Sequence, residues 1–236
     1  MELFNNEYQI DGIRVLDIAE KYTTPLYVYD TSIMRNHYER LINAFADTNL
    51  KIKYACKALT NQNILRFFNS LGSGLDTVSI QEVELGLKAG FKPKDIIFTP
   101  NSVSLEEISK AVELGVVINI DNISVLEQFG HEYENRVPIS IRINPHLEGG
   151  GHYKISTGHI DSKFGISIHQ LRHVERVIKS TGLHVVGLHM HTGSDILDTE
   201  VFIKGVEILL GICDSFKELE FIDLGSGIKT SYSPED

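Results

Sequence analysis

Pro138-Ile139-Ser140-Ile141-Arg142-Ile143-Asn144 alternates apolar and polar residues along its length. Successive side chains of a β-strand point to opposite faces, so Ile139, Ile141 and Ile143 share one face and Ser140, Arg142 and Asn144 the other. Other stretches repeat the pattern. In 116–121, Val116, Ile118 and Ile120 oppose Val117, Asn119 and Asp121; in 220–224, Ile222 and Leu224 oppose Phe221 and Asp223. In 184–191, His189 and His191 fall together, opposite Leu188 and Met190. The aliphatic face must meet helices, which leaves the polar face pointing inward. A doubly wound sheet has helices on both faces and would show aliphatic runs on both. A barrel with a polar interior near one mouth fits better.

Outward from this stretch, strand candidates lie at 51–57, 74–78, 95–99, 116–121, 138–144, 184–191 and 220–224. Amphipathic helix patterns separate them, near 61–70, 79–90, 104–114, 123–130, 168–180 and 198–217. Ser79-Ile80-Gln81-Glu82 and Ser104-Leu105-Glu106-Glu107 read as capping boxes that open two of these helices. Strand and helix repeating at roughly 20-residue spacing imply parallel pairing through right-handed crossovers. The expected fold class is α/β, a (β/α)8 TIM-type barrel that is incomplete, with seven strands present. No dinucleotide-type glycine fingerprint follows the first strand. The opening is different in character. Asp11-Gly12, between Tyr8-Gln9-Ile10 and Ile13-Arg14-Val15, signals a hairpin. A short helix over 16–21 and an extended stretch over 24–30 follow, and Asp30 can cap a helix near 32–46. Residues 1–30 are therefore expected in another layer or domain, and 31–236 in the barrel. The rhythm breaks once, between 144 and 165, where a glycine-rich insertion leaves a strand's carboxyl end, the face at which barrel enzymes bind substrate.

Composition narrows the function classes. The 236 residues, 42% hydrophobic and 23% charged, suffice for one sizeable α/β domain. A net charge of −10 with no basic run argues against nucleic acid or anionic membrane as partners. No long apolar segment occurs, and Met1-Glu2-Leu3-Phe4-Asn5-Asn6-Glu7 lacks an export pattern, so a cytoplasmic location is expected. Cys56 and Cys213 lie far apart without CxxC spacing and read as two buried thiols.

Once the strands close into a barrel, their carboxyl ends gather Lys57, Asp76, Asp121, Arg142, His191 and the turn Gly225-Ser226-Gly227. Lys57 ends Lys53-Tyr54-Ala55-Cys56-Lys57 just before a helix signal. Its amine can form a Schiff base with a carbonyl, or it is an ordinary lysine at a strand end. A Gly-x-Gly turn after the seventh strand offers backbone N–H groups to an anion, where barrel phosphate sites lie. His191, followed by Gly193 and Ser194, suits a flat ring against a flat cofactor, with the serine hydroxyl reaching a phosphate. His189 reads as a satisfied interior histidine. The His-x-His pair is also a possible metal site, but no Asp or Glu grouping at other strand ends completes a ligand set, and no metal is expected.

Six motifs carry a family resemblance. They are Tyr54-Ala55-Cys56-Lys57-Ala58, Gly74-Leu75-Asp76-Thr77-Val78-Ser79, Ile141-Arg142-Ile143-Asn144-Pro145, Ser162-Lys163-Phe164-Gly165, His191-Thr192-Gly193-Ser194 and Asp223-Leu224-Gly225-Ser226-Gly227. In this order, across about residues 8–236, they resemble the diaminopimelate decarboxylases, within the alanine-racemase-fold group of pyridoxal phosphate decarboxylases. The lysine, histidine and glycine-turn motifs are shared with ornithine and arginine decarboxylases. The Asn144-Pro145 segment, the loop from Gly151 to Gly158 and Ser162-Lys163-Phe164-Gly165 look particular to the diaminopimelate branch. The resemblance implies an alanine racemase-like barrel with pyridoxal 5'-phosphate carried by Lys57 and stacked under His191, the two catalytic residues. It also implies Asp76 near that junction, Arg142 deeper in the mouth, and Ser194, Gly225, Ser226 and Gly227 on the phosphate. The implied reaction is loss of carbon dioxide from the D-configured centre of meso-diaminopimelate, a small amino-acid substrate, giving lysine. A homodimer is implied for the full-length enzyme.

Two departures stand out. The family's glycine triplet has Ser226 at its centre here, and the chain stops at Asp236. The family continues with an eighth strand, whose glutamate pairs with the pyridine nitrogen, and a β-rich domain. That domain supplies substrate-binding arginine and tyrosine residues and, across a dimer, a cysteine proton donor. An open barrel is expected to expose strand edges and apolar surface, and the 236-residue chain alone to be weakly active or inactive. The alternatives are an ornithine, arginine or carboxynorspermidine decarboxylase of the same fold, or a non-catalytic pyridoxal phosphate carrier.

Overall fold

A computed structural model describes residues 1–147 and 162–230. The glycine-rich part of the insertion, 148–161, lies outside the described residues, as do 231–236.

Three short antiparallel strands come first: β1 (Glu2–Phe4), β2 (Glu7–Ile10) and β3 (Ile13–Arg14). β2 and β3 form the expected hairpin, with Asp11 and Gly12 at φ of 50° and 76°, as a type I′ turn requires. β1 was not expected, because three residues are too few for periodicity to register. Helices α1 (Val15–Tyr22) and α2 (Thr31–Ala44) follow, and the Asp30 carboxylate caps α2 by accepting the N–H groups of Ser32 and Ile33. Apolar surface is exposed in this opening region. Leu3, Phe4, Tyr8, Ile13, Leu16 and Tyr27 are between 56% and 90% exposed.

The strand–helix alternation then sets in. It runs β4 (Lys53–Ala55), α3 (Gln62–Ser70), β5 (Gly74–Thr77), α4 (Ile80–Lys88), β6 (Ile96–Phe98) and α5 (Leu105–Glu113). It continues with β7 (Val117–Ile120), α6 (Ile123–Tyr133), β8 (Ile139–Asn144), β9 (Ile166–Ser167) and α7 (Leu171–Thr181). Last come β10 (Val185–His189), α8 (Thr199–Gly211) and β11 (Phe221–Asp223). The sheet order is β4-β5-β6-β7-β8-β10-β11, all parallel, with the unexpected β9 paired to the end of β8. Several boundaries differ from expectation, and two of them change an element's character. Pairing of β4 with β5 ends at Ala55, and Cys56–Ala58 wind into a 3-10 turn closed by the Leu59 N–H on the Cys56 carbonyl at 3.1 Å. The helix expected over 198–217 ends at Gly211, and Cys213–Ser215 form a separate 3-10 turn.

Face parity holds. Ile118, Ile120, Ile139, Ile141, Ile143 and Leu188 are at most 1% exposed, in one core with Val83, Ile108, Leu126 and Val174 of the helices. Each such side chain contributes about 1.5–3 kcal/mol on burial. The opposite face is polar and hydrogen-bonded inside. The Ser140 hydroxyl donates to Asn119 Oδ1 at 2.7 Å, and Asn119 Nδ2 donates to His189 Nδ1 at 3.2 Å. The curl of the sheet is visible at its ends. Lys53 and Asp223 stand on its two outermost strands, yet the carboxylate acts electrostatically on the buried ammonium. The sheet therefore bends back on itself into an incomplete barrel.

Inside it, Gly187 faces Phe221 in the β10–β11 register. A Cβ at 187 would lie 2.3 Å from the Phe221 ring, so the glycine leaves the space that the ring fills. Gly187→Ala is expected to cost about 1–3 kcal/mol in denaturant unfolding, and adding Phe221→Leu to recover part of that loss.

Candidate active site

Lys57 sits on the 3-10 turn after β4, exposed, rather than on the strand itself. Turning off the strand brings its ammonium close enough to act electrostatically on Asp76, His189 and His191. Asp76, on β5, points inward. It accepts the Thr99 hydroxyl at 2.5 Å. Burial pushes its pKa up to about 6, against that hydrogen bond; Asp223 adds to the rise, while Lys57 and Arg142 oppose it.

Arg142, on β8, is buried, and burial lowers its pKa while Asp121, Asp76 and Asp223 pull it back. Its guanidinium carbon lies 4.8 Å from the centre of the Phe164 ring, a cation–π distance. His191 lies two residues beyond the end of β10. Burial, aided by Arg142, His189 and Lys57, drives its pKa down to about 3. His189 is pushed down to about 4, again mainly by burial. Both imidazoles are therefore neutral near pH 7.

The turn after β11 packs backbone to backbone against the segment His191–Ser194. Gly225 has φ of 66°, and a Cβ there would lie 2.4 Å from the Met190 carbonyl and 3.0 Å from His191 Nδ1. Gly227 has φ of 111°, and its Cβ would lie 1.9 Å from the Gly193 carbonyl and 3.4 Å from the Ser194 Cα. Only glycine meets both demands, conformation and approach. The Ile196 N–H on the Gly227 carbonyl at 2.9 Å and the Lys229 N–H on the Ile196 carbonyl at 3.1 Å tie the two segments together.

The structure thus brings Lys57, Asp76, Arg142, His191, Ser194, Gly225, Ser226 and Gly227 around one mouth. One expectation changes. The N–H groups of the turn do not stand open to an anion. Gly225 donates to the Asp223 carboxylate at 2.8 Å, Ser226 to His191 Nδ1 at 3.4 Å, and Gly227 to the Ser226 hydroxyl at 2.6 Å. The last two acceptors are a ring nitrogen at the long end of hydrogen-bond range and a small rotatable hydroxyl. Sequence reading passed over Asp223, Thr99, Asn101 and Phe164. Parity had put Asp223 inward, and Phe164 lay within a recognised motif; Thr99 and Asn101 gave no signal of their own.

Asp76 binds its proton more tightly when folded (pKa about 6) than at its ordinary value of 3.8. The folded state therefore holds the extra proton between those values, and this group's contribution to stability falls as pH rises from about 4 to 6. Asp76→Asn is expected to gain in unfolding midpoint relative to the parent chain as pH goes from about 4 to 7, as measured by denaturant titration.

The chain as a whole is similar to several known proteins. A diaminopimelate decarboxylase from Methanothermobacter thermautotrophicus is 38% identical over 234 residues, covering 96% of this chain and 55% of the relative. The crystal structure of the Helicobacter pylori diaminopimelate decarboxylase complexed with L-lysine matches with a TM-score of 0.84 at 33% identity, over 94% of this chain and 58% of that one. The diaminopimelate decarboxylase from M. jannaschii in co-complex with L-lysine matches with a TM-score of 0.86 at 30% identity, over 100% of this chain and 58% of that one. The chain thus spans a little over half the length of these relatives. A lysine/ornithine decarboxylase from Vibrio vulnificus, at 23% identity and a TM-score of 0.78, shares the fold. The family model described as pyridoxal-dependent decarboxylase, pyridoxal binding domain, matches residues 31–236, and the chain belongs to that family.

Proposed function

We infer that this mouth binds pyridoxal 5'-phosphate and serves the decarboxylation of meso-diaminopimelate to L-lysine. The observation that carries the reading is one exposed amine, Lys57, acting on Asp76 and, across the mouth, on a neutral His191 that touches a glycine turn. The relatives named for this activity, two of them holding L-lysine, support the choice of substrate. When bound, pyridoxal phosphate supplies an electron sink for the pair of electrons left as carbon dioxide departs.

The residues fit that group. Backbone approaches at Gly225 and Gly227 that no Cβ could share set the turn against His191–Ser194, making a backbone-lined cradle of it, and Ser194 and Ser226 stand exposed beside it. Lys57 would hold the aldehyde, and the cradle would hold the phosphate. His191, kept neutral by burial, would offer the face of its ring. Asp76, with its pKa near 6, can keep or release a proton beside the Lys57 amine around neutral pH. Arg142 is a fixed cation that orients an anionic group deeper in the mouth.

Three coarser points belong to the same reading. Residues 1–30, with their exposed apolar side chains, form a layer separate from the barrel at 31–236. The protein works as a homodimer in the cytoplasm, without nucleic acid. No helix among the described residues is long and apolar enough to cross a membrane, and the net charge of −10 disfavours polyanions.

Borohydride reduction in the presence of pyridoxal phosphate, followed by peptide mapping, is expected to label Lys57; a label on another lysine removes the assignment. In the full-length enzyme, carbon dioxide release from meso-diaminopimelate is expected to exceed that from ornithine or arginine by at least about a hundredfold. Equal or greater release from ornithine or arginine would assign the chain to a different substrate within the fold.

A further inference from the structure

The motif Ser162-Lys163-Phe164-Gly165 has no part in the chemistry described so far, yet it enters the mouth and is pinned there from three sides. Asn101 Nδ2 donates to the Lys163 carbonyl at 3.2 Å and to the Asp121 carboxylate at 2.6 Å. The Gly165 N–H also donates to Asp121. Just beyond, β9 pairs with the end of β8, Ile166 opposite Ile143 and Ser167 opposite Asn144. Gly165 itself has φ of 80°, and a Cβ there would lie 2.9 Å from the Asn144 backbone nitrogen. The segment therefore lies tight against the strand that carries Arg142.

The half-buried ring between these anchors meets the guanidinium of Arg142 at 4.8 Å. The Lys163 ammonium also approaches that ring, at 5.1 Å, but from an exposed side chain. Arg142 acts electrostatically on three carboxylates, those of Asp121, Asp76 and Asp223. Left to charge alone, the guanidinium could settle on any of them. As Asp76 is held by Thr99 and Asp223 by Gly225, Asp121 is held by Asn101 and Gly165. A cavity of about 200 Å³ borders it, lined by Asn101, Ser102, Asn119, Asp121 and Lys163, so these hydrogen bonds rather than close packing fix the carboxylate. A flat aromatic face then supports a flat cation in one plane.

We propose that Phe164 is a positioning residue for Arg142, seated by a clasp that Asn101 and Asp121 close on the segment Lys163–Gly165. The clasp fixes one of the three carboxylates, that of Asp121, and supplies the surface on which the guanidinium rests. Arg142 is thereby held toward Asp76 and His191, on which it acts. This deepens the functional reading above and rests on it for the use made of Arg142, but the arginine itself can be observed without any cofactor.

The test is hydrogen exchange of the Arg142 Nε–H, followed by NMR in the 15N-labelled chain, with the backbone N–H of Ile141 in the same strand as the control. Phe164→Leu is expected to speed the side-chain exchange by roughly tenfold with Ile141 unchanged, and Phe164→Tyr, which keeps the ring, to stay within about threefold of the parent. Asn101→Ala opens the clasp without touching ring or arginine, and is expected to move exchange in the same direction as Phe164→Leu. If Phe164→Leu does not fold, judged by circular dichroism, Asn101→Ala and Phe164→Tyr carry the test. Unchanged Arg142 exchange in Phe164→Leu or Asn101→Ala, or a tyrosine variant as fast as the leucine one, overturns the proposal. Borohydride trapping at Lys57 in the parent chain separates the two readings. Faster exchange in the variants without trapping in the parent supports the clasp and removes the cofactor reading. Trapping with unaltered exchange does the reverse.

Discussion

Two cations and three carboxylates line the inside of one curled sheet, Lys53 and Arg142 against Asp76, Asp121 and Asp223, with the exposed Lys57 at its mouth. Charge withdrawn from water is costly, and a lone ion in such a space would neutralise or turn outward. Here the two signs lie close together, so Lys53 and Arg142 each feel three carboxylates and Lys57 acts on Asp76. The aliphatic outer face forces this arrangement. Because isoleucines occupy alternate positions to meet the helices, whatever lies between them must face inward. The polar positions between them are therefore the ones that line the barrel interior.

The site grows out of that interior at the level where strands give way to loops. Lys57 leaves β4 on a 3-10 turn, His191 lies just past β10, and the glycine turn follows β11 directly. Deeper groups hold these in place. The hydroxyl–amide–imidazole chain of Ser140, Asn119 and His189 gives the interior a hydrogen-bonded floor that carries no net charge near neutrality. Above it, the Thr99 hydroxyl contacts Asp76 and the Phe164 ring contacts Arg142, two groups that act electrostatically with Lys57 and His191.

Period-two alternation was strong enough in 138–144 and 184–191 to reveal both the barrel and which residues face into it, because burial on one face leaves little freedom to the other. The same logic exposed Arg142 and His191. It under-weighted Asp223, which shares its inward face with Phe221 and was recorded as part of a pattern rather than as a group with partners. Thr99 and Asn101 were invisible because a neutral side chain just past a strand has no periodic signature; their meaning comes only from the carboxylates they meet. Strand ends were also misjudged. Lys57 reads as strand by composition, but the parallel ladder stops at Ala55, and the turn that follows is what exposes the amine. The turn at Gly225 was located correctly, yet its hydrogen bonding could not be read from two glycines, since the acceptors come from Asp223, His191 and Ser226 itself.

Those acceptors change what occupancy of the turn means. With all three N–H donors already engaged, an arriving oxyanion gains only the difference between its own oxygens and the incumbents. A water molecule or a weakly basic carboxylate offers little advantage over the Ser226 hydroxyl, whereas a doubly charged phosphate offers a large one. The incumbents subtract the same amount from every guest, so a weakly bound guest is left with little net affinity while a strongly bound one keeps most of its own. Departure is eased by the same token, because the vacated donors find substitutes within reach instead of being left bare.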